Sequence, residues 1–269
     1  FNRAYCLHLV YESLLRQKSQ DFIWLIVDDG SSDSTNELVQ GWIAENTIEI
    51  RYHWKENGGM HTAHNAAHKL IDTELNVCID SDDYMTDNAI ERILYLWETY
   101  GGKQYAGLVG LDEDKNGNVI GIPFPDFMTD CTYTELKPVY GVTGDKKSVY
   151  RTEIIKRYEP YPTFDNEKFV PLYLPLQIDK DYKVLCFNEA FCVVDYQVDG
   201  STLNMMKQYI RNPKGFAHFR KIMINENPFL GVRFRNAVHF VSCSIMNRNY
   251  NFLRETPSKL LTLIAIPVG

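Results

Sequence analysis

Asn76-Val77-Cys78-Ile79-Asp80-Ser81-Asp82-Asp83-Tyr84-Met85 is the stretch around which the chain reads. Val77, Cys78 and Ile79 predict a short buried strand, apolar without alternation. Three carboxylates follow within four residues, at Asp80, Asp82 and Asp83. Acids gathered at the end of a buried strand are costly unless positive charge fills the space between them. A divalent cation answers that need, and hard oxygen donors favour Mg2+ or Mn2+ over zinc. Such an ion is ordinarily shared with a phosphate-bearing substrate. The plainer alternative is an acidic turn that caps the next helix, and the cluster alone does not choose between the two.

Upstream, the pattern alternates. Ala4, Leu7, Val10, Tyr11, Leu14 and Leu15 mark one face of an opening helix. An α/β domain usually places a strand before such a helix, so a strand ahead of Phe1 is expected. Phe22 to Val27 predicts a strand ending in Asp28-Asp29-Gly30-Ser31-Ser32-Asp33. Ser34 and Glu37 then have capping-box spacing for a helix to about Glu45. Ile48 to Trp54 predicts a strand, and Lys55 to Gly59 a turn. His61 to Leu70 predicts a helix with Ala63, Ala67 and Leu70 toward the sheet. After the acidic stretch, Asp87 is expected to cap a helix to about Thr99. This rhythm predicts an α/β fold with a mostly parallel central sheet flanked by helices, Rossmann-like, with ligands at the carboxyl ends of the strands.

After Gly102 the rhythm changes. Strands are predicted at Tyr105 to Leu111, Val119 to Ile122, Lys183 to Phe187 and Ala190 to Tyr196, with a hairpin-type turn at Asn116-Gly117. Residues 123–145 read as long loops, of the kind that carry function. A strand end and helix are expected at Val149 to Tyr158, and a short helix near Lys168 to Leu174. From Tyr209 the chain is helical, with breaks near Pro213, Pro228 and Pro257. The expected organisation is residues 1–102, then 103–203, then a helical C-terminal annex over 204–269.

A net charge of -7 excludes a general nucleic-acid binder, which would show a basic stripe. Six cysteines without CxxC or CxxH spacing read as reduced core residues of a cytosolic protein. No run is long enough to span a bilayer.

Two further motifs bear on chemistry. Asp28-Asp29-Gly30 places acids at a strand end, where a carboxylate can accept hydrogen bonds from a base imide or a ribose; alternatively the acids only cap the next helix. Asn57-Gly58-Gly59-Met60-His61 opens a helix whose amides would attract phosphate. His61 and His64 would face that site, while His68 reads as a packed or surface residue. No HExxH pattern supports zinc.

Val27-Asp28-Asp29-Gly30-Ser31-Ser32-Asp33, then Asn57-Gly58-Gly59 with Ala63 and Asn65, then Asp80-Ser81-Asp82-Asp83, resembles glycosyltransferase family 2. Three motifs in order at family spacing carry the resemblance over residues 1 to about 100. It implies a GT-A fold and an inverting transfer of sugar from a nucleotide-diphosphate donor, a UDP-sugar first, to the hydroxyl of a saccharide or lipid-linked acceptor. It further implies that Asp28 and Asp29 contact the nucleotide, with Asn57, Gly58, Gly59, His61, His64 and Asp80 also at the donor. Asp80 and Asp82 would hold Mn2+ or Mg2+, and Asp83 would be a second ligand or a cap. The catalytic base of the family lies in a later acidic segment, here Phe164-Asp165-Asn166-Glu167-Lys168-Phe169. Glu167 is the first choice and Asp165 the reserve, although Lys168 stands where a second acid is expected; Asp145 is a third option.

Two other classes share parts of this pattern. A sugar nucleotidyltransferase also pairs acids with a metal, but it would carry a glycine-rich basic loop near its first strand. A catalytically inactive nucleotide-sugar-binding scaffold is the other. Release of UDP rather than pyrophosphate separates the first, and metal-dependent hydrolysis of donor the second. Basic residues among aromatics after Arg211, with apolar Leu260 to Val268, suit either a packed annex or contact with a membrane surface. The expected location is cytoplasmic, at the inner face of the membrane if that contact is made.

Overall fold

The computed structural model describes residues 1–158, 160–195 and 205–269. Its first half follows the expected rhythm: α1 (Leu7–Leu15), β1 (Trp24–Asp28), α2 (Thr35–Glu45), β2 (Ile50–Trp54), α3 (Met60–Leu70), β3 (Leu75–Val77), β4 (Tyr84–Met85) and α4 (Ala89–Tyr100). Then come β5 (Tyr105–Glu113), β6 (Asp130–Cys131), α5 (Tyr133–Tyr140), β7 (Lys146–Arg151), α6 (Thr152–Ile155), α7 (Leu174–Ile178) and β8 (Lys183–Val193). The chain closes with α8 (Met205–Arg211), α9 (Pro213–Glu226), α10 (Leu230–Met246), α11 (Phe252–Glu255) and α12 (Lys259–Ala265).

The architecture is α/β with helices flanking central sheets, but the strands are mixed rather than mostly parallel. β1 and β2 pair in parallel, as do β5 and β8. β7 runs antiparallel between β3 and β5, and β4 and β6 pair antiparallel to β8. The reason is connectivity: from β5 onward long excursions, not single crossover helices, return the chain to the sheet, so either direction is open to the next strand.

One apolar layer packs α1, α2 and α4 on one face, around Val39, Met85, Leu108 and Phe191. Tyr11 stacks on Trp42 with centroids 4.4 Å apart and fixes α1 against α2. On the other side Val109, Ile154, Val170 and Ile178 gather α5, α6 and α7. Phe240, Ile224 and Ala265 join α9, α10 and α12 into their own cluster. Pro213 opens α9, where a missing N–H costs nothing, and the helices stop before Pro228 and Pro257 as expected.

Several local expectations change. The strand before the acids is Leu75–Val77 and only half-buried, with Cys78 exposed rather than in the core. Capping of α2 comes from Asp33, whose Oδ1 accepts from the Thr35 amide at 3.1 Å and hydroxyl at 2.6 Å; Ser34 makes no side-chain cap. Asp87 pairs with Arg16 at 3.0 Å, and Asn88 takes the cap position of α4. Val119 and Ile122 form isolated bridges to Glu113 and Thr143, not a strand. The loops of 123–145 contain β6 and α5, the latter announced by a Thr132-x-x-Glu135 capping box that is formed in both directions. The short helix expected near Lys168 begins only at Leu174. The two strands expected between Lys183 and Tyr196 are one strand whose register against β5 shifts at Leu111. Tyr196 and the expected boundary at residue 203 lie outside the described residues.

Candidate active site

The carboxyl ends of the central strands open into a cleft of about 1420 Å3. Val27 and Asp29 enter it from the end of β1, and Ala63, His64 and Ala67 from one face of α3. Asp80, Ser81, Asp82 and Asp83 follow β3, and Tyr133 and Lys137 line it from α5. Asp145, Lys146 and Lys147 come from the start of β7 and the turn before it, and Asn166, Lys168, Gln208, Arg211 and Asn212 from the later chain. Seven acidic positions (29, 80, 82, 83, 112, 145 and 195) thus share one cleft.

These charges are partly balanced by protein cations. Arg3 lies 3.9 Å from Asp82, and Lys147 lies 3.9 Å from Asp83. Burial lifts the pKa of Asp83 to about 7 against the pull of Lys147. Burial works against the charge on Lys147, but the field of Cys192, Asp112, Asp80 and Asp83 outweighs it and raises that pKa. Asp112, at the end of β5, is 2% exposed, and burial pushes it up to about 6 although Lys147 opposes the shift.

Asp29 does something other than wait for a nucleotide. Its Oδ1 accepts from Lys55 Nζ at 2.5 Å and from the Gly58 amide at 2.9 Å, and its Oδ2 accepts from the Gly59 amide at 2.7 Å. Burial alone would raise its pKa; the donors from Gly58, Lys55 and Gly59 win, and it is lowered. The Gly58 and Gly59 amides expected to hold phosphate are therefore spent on this carboxylate. Gly59 has φ +94°, and a Cβ there would sit 1.8 Å from the Lys168 carbonyl oxygen, so only glycine fits. Lys168 returns a hydrogen bond from its ammonium to the Asn57 carbonyl, locking the loop to the later chain.

Asp28 is buried and does not line the cleft: Oδ1 accepts from the Ser31 amide at 2.8 Å and Oδ2 from the Tyr52 hydroxyl at 2.6 Å. His61 is also turned away. It is 1% exposed, with both ring nitrogens buried and without hydrogen-bond partners among the described residues. It takes the inward face expected for Leu70, which is 41% exposed, because α3 packs with its cleft-facing alanines toward the open site. His64 does line the cleft, where burial lowers its pKa against the field of Asp80. His68, stacked edge-on to His64, lies off the cleft.

Neither expected base position, Glu167 or Asp165, is among the residues that line the cleft. Glu167 is buried, and its two oxygens accept from the amides of Lys214 (2.9 Å) and Gly215 (2.7 Å) in the first turn of α9. It is a helix cap, absent from the cleft wall. Asp165 is exposed and also off the cleft, whereas Asp145 lines it. Reading by motif missed Asp112 and Lys147. Asp112 hides in an otherwise apolar strand, and a lysine pair beside Asp145 reads as surface; only their meeting in space marks them.

This acid-lined cleft lies at the carboxyl ends of the strands, where open α/β folds bind their ligands. The family model for glycosyl transferase family 2 matches residues 1–158, and the chain belongs to that family. Over its whole length it resembles solved glycosyltransferases. S. aureus TarS 1–349 in complex with UDP-GlcNAc superposes with a TM-score of 0.61 at 16% identity, over 98% of this chain and 77% of that one. The mannosyltransferase PcManGT from Pyrobaculum calidifontis, in complex with GDP-Man and Mn2+, gives 0.59 at 14%, over 98% and 75%. At such identities the likeness is one of fold. Among curated relatives, the glycosyltransferase GlyG of Streptococcus pneumoniae is 29% identical over 82 residues, 30% of this chain and 27% of that protein. The teichoic acid poly(glycerol phosphate) polymerase of Staphylococcus epidermidis is 35% identical over 80 residues, 29% and 11% respectively. The matched stretches thus span about a quarter or less of these relatives' own lengths.

Proposed function

We propose that the chain transfers a sugar from a nucleotide-diphosphate donor, a UDP-sugar first, to an acceptor hydroxyl during synthesis of a surface polysaccharide or glycoconjugate, with inversion at the anomeric carbon. The observation that carries this reading is the acidic floor of the cleft, Asp80 and Asp82, at the strand ends of a family 2 chain. UDP-GlcNAc in one fold neighbour and GDP-Man in another support the donor class.

The donor set fits a hard divalent cation. Asp80 and Asp82 offer oxygen atoms on an open cleft wall, and Mg2+ or Mn2+ completes its shell with substrate phosphate and water. Among the described residues no three acidic, histidine or cysteine side chains are grouped so as to hold a metal ion by themselves. Bound there, the ion would supply neutralisation of charge on the leaving diphosphate. Asp29 shapes the nucleotide wall by holding the 57–59 loop. Neutral His64 borders the donor beside Asp80 without adding charge of its own.

With Glu167 engaged as a cap, the base is assigned to Asp145, which lines the cleft. It takes the acceptor proton as the oxygen attacks, and the bond to the diphosphate breaks on the opposite face of the sugar. On the outer side of the annex Leu260, Leu263, Ile264 and Val268 stand 52–70% exposed. They support peripheral contact with a bilayer that carries a lipid-linked acceptor. Thermal-shift titration with UDP-, GDP- and dTDP-sugars, with and without Mn2+, tests the reading: one donor should stabilise the chain only when the ion is present, and no shift with any of them would refute it.

A further inference from the structure

Among the described residues, Asp112 is the cleft acid with a buried side-chain oxygen left unpaired. It sits opposite Cys192 at the end of β5, the strand that lies between β7 and β8. It is 2% exposed and borders the cleft. Its Oδ1 is fully buried and has no hydrogen-bond partner among the described residues. A buried carboxylate oxygen without a donor is costly, and native structures seldom leave one so unless a water, an ion or a ligand completes it.

The neighbours restrict what that ligand group can be. Lys147, Asp145, Lys146 and Asp80 are the charged groups that act on Asp112. An anionic phosphate is repelled by Asp112 itself together with Asp80 and Asp145. A second cation is opposed by the ammonium of Lys147, and among the described residues Asp112 does not converge with two other ligating side chains. A neutral donor remains, an O–H or an amide N–H. Such groups are absent from the diphosphate; they are carried by the transferred sugar, by the ribose and base, and by the acceptor, and comparison with the sugar-free nucleoside diphosphate separates the sugar from the nucleotide.

Resting on the glycosyltransferase reading above, we propose that Asp112 reads the donor sugar, accepting a hydrogen bond from one of its hydroxyls or from an acetamido N–H. It is a specificity-determining residue rather than the base, because it recognises a group that does not react. With a pKa near 6, the carboxylate is in its accepting form at neutral pH.

The test is calorimetric titration, in Mn2+, of the wild type, Asp112→Ala and Asp112→Asn. UDP-GlcNAc, UDP-glucose and GDP-mannose are each compared with their own nucleoside diphosphate. For the preferred donor, Asp112→Ala should weaken binding of the nucleotide sugar by about tenfold or more while the nucleoside diphosphate changes by less than about twofold. Asp112→Asn keeps an acceptor oxygen and the side-chain volume, so its loss should be smaller, and it guards against a folding artefact. Equal loss for sugar-bearing and sugar-free ligands, or no change in either, would overturn the assignment. If the wild type binds a nucleoside diphosphate and the variants do not discriminate, only this inference fails. If the wild type binds none of these ligands, the transferase reading fails and this inference with it.

Discussion

Glu167 Oε2 accepts a hydrogen bond from the Gly215 amide at 2.7 Å, while Oε1 takes the neighbouring amide of Lys214. A residue whose motif position suggests acid–base chemistry is thereby committed to the N-terminus of α9, where orphan amides and the helix dipole favour a carboxylate. It also ties the 164–168 loop to the annex, since the Lys168 amide donates to Asn212 Oδ1.

Glu167→Gln is therefore expected to cost stability, not chemistry. Losing charge at a cap of this kind is worth about 1–2 kcal/mol, or roughly 2–6 °C in a chain of this size. Turnover per folded molecule should stay within about threefold of wild type. Calorimetry and initial rates on the same preparation check both. A loss of about a hundredfold in kcat with Tm unchanged would return the base to Glu167.

The Asp29 carboxylate gives the opposite pH dependence to Asp83 and Asp112, whose pKa values burial raises. Its pKa is lowered in the folded chain, so its stabilising contribution is complete above the unfolded value near 3.8 and is lost as pH falls through the folded one. Asp29→Asn removes the ion pair with Lys55 and weakens the grip on Gly58 and Gly59. A loss of about 2–4 kcal/mol at pH 7, shrinking toward pH 3, is expected from chemical denaturation at the two pH values.

His61 predicts a gain. Its imidazole is buried without hydrogen-bond partners among the described residues, and burial lowers its pKa. The unfolded chain therefore binds the extra proton first, and stability declines as pH falls below about 6.5. His61→Leu should match or exceed wild-type stability at pH 7.5 and show a shallower decline between pH 6.5 and 5. A Tm reduced by several degrees at pH 7.5 would mean that the ring is satisfied by a contact not seen here.

Asp145→Asn isolates the assigned base. It should lower kcat by about a hundredfold or more and leave the calorimetric affinity for the nucleotide sugar nearly unchanged. Retained turnover would move proton abstraction to another cleft acid.

The first hundred residues were largely legible because short strands and amphipathic helices alternate there, and because three motifs end strands where such folds bind ligands. Later the pattern reading loosened for physical reasons. A bulged β8 looks like two strands, since a register shift breaks the apolar alternation at Leu111 against Ala190. The site was legible as a list of acids, not as an arrangement. Whether Asp29 faces a nucleotide or two glycine amides depends on where a loop thirty residues away folds back. Whether His61 or Leu70 points inward depends on the rotation of α3, and its weak apolar face, with three histidines and three alanines, does not define that rotation. Thr132-x-x-Glu135 is a helix-start signal inside residues 123–145, a stretch whose Pro, Gly, Thr and Asp content reads as loop.

Product analysis with the preferred nucleotide sugar tests the central claim most directly: does the cleft at Asp80 and Asp82 break the sugar–diphosphate bond? In Mn2+ the wild type should release nucleoside diphosphate, and Asp82→Ala, folded by calorimetry, should release less than about a hundredth as much. Release of pyrophosphate, or equal release by the Asp82 variant, would contradict the account.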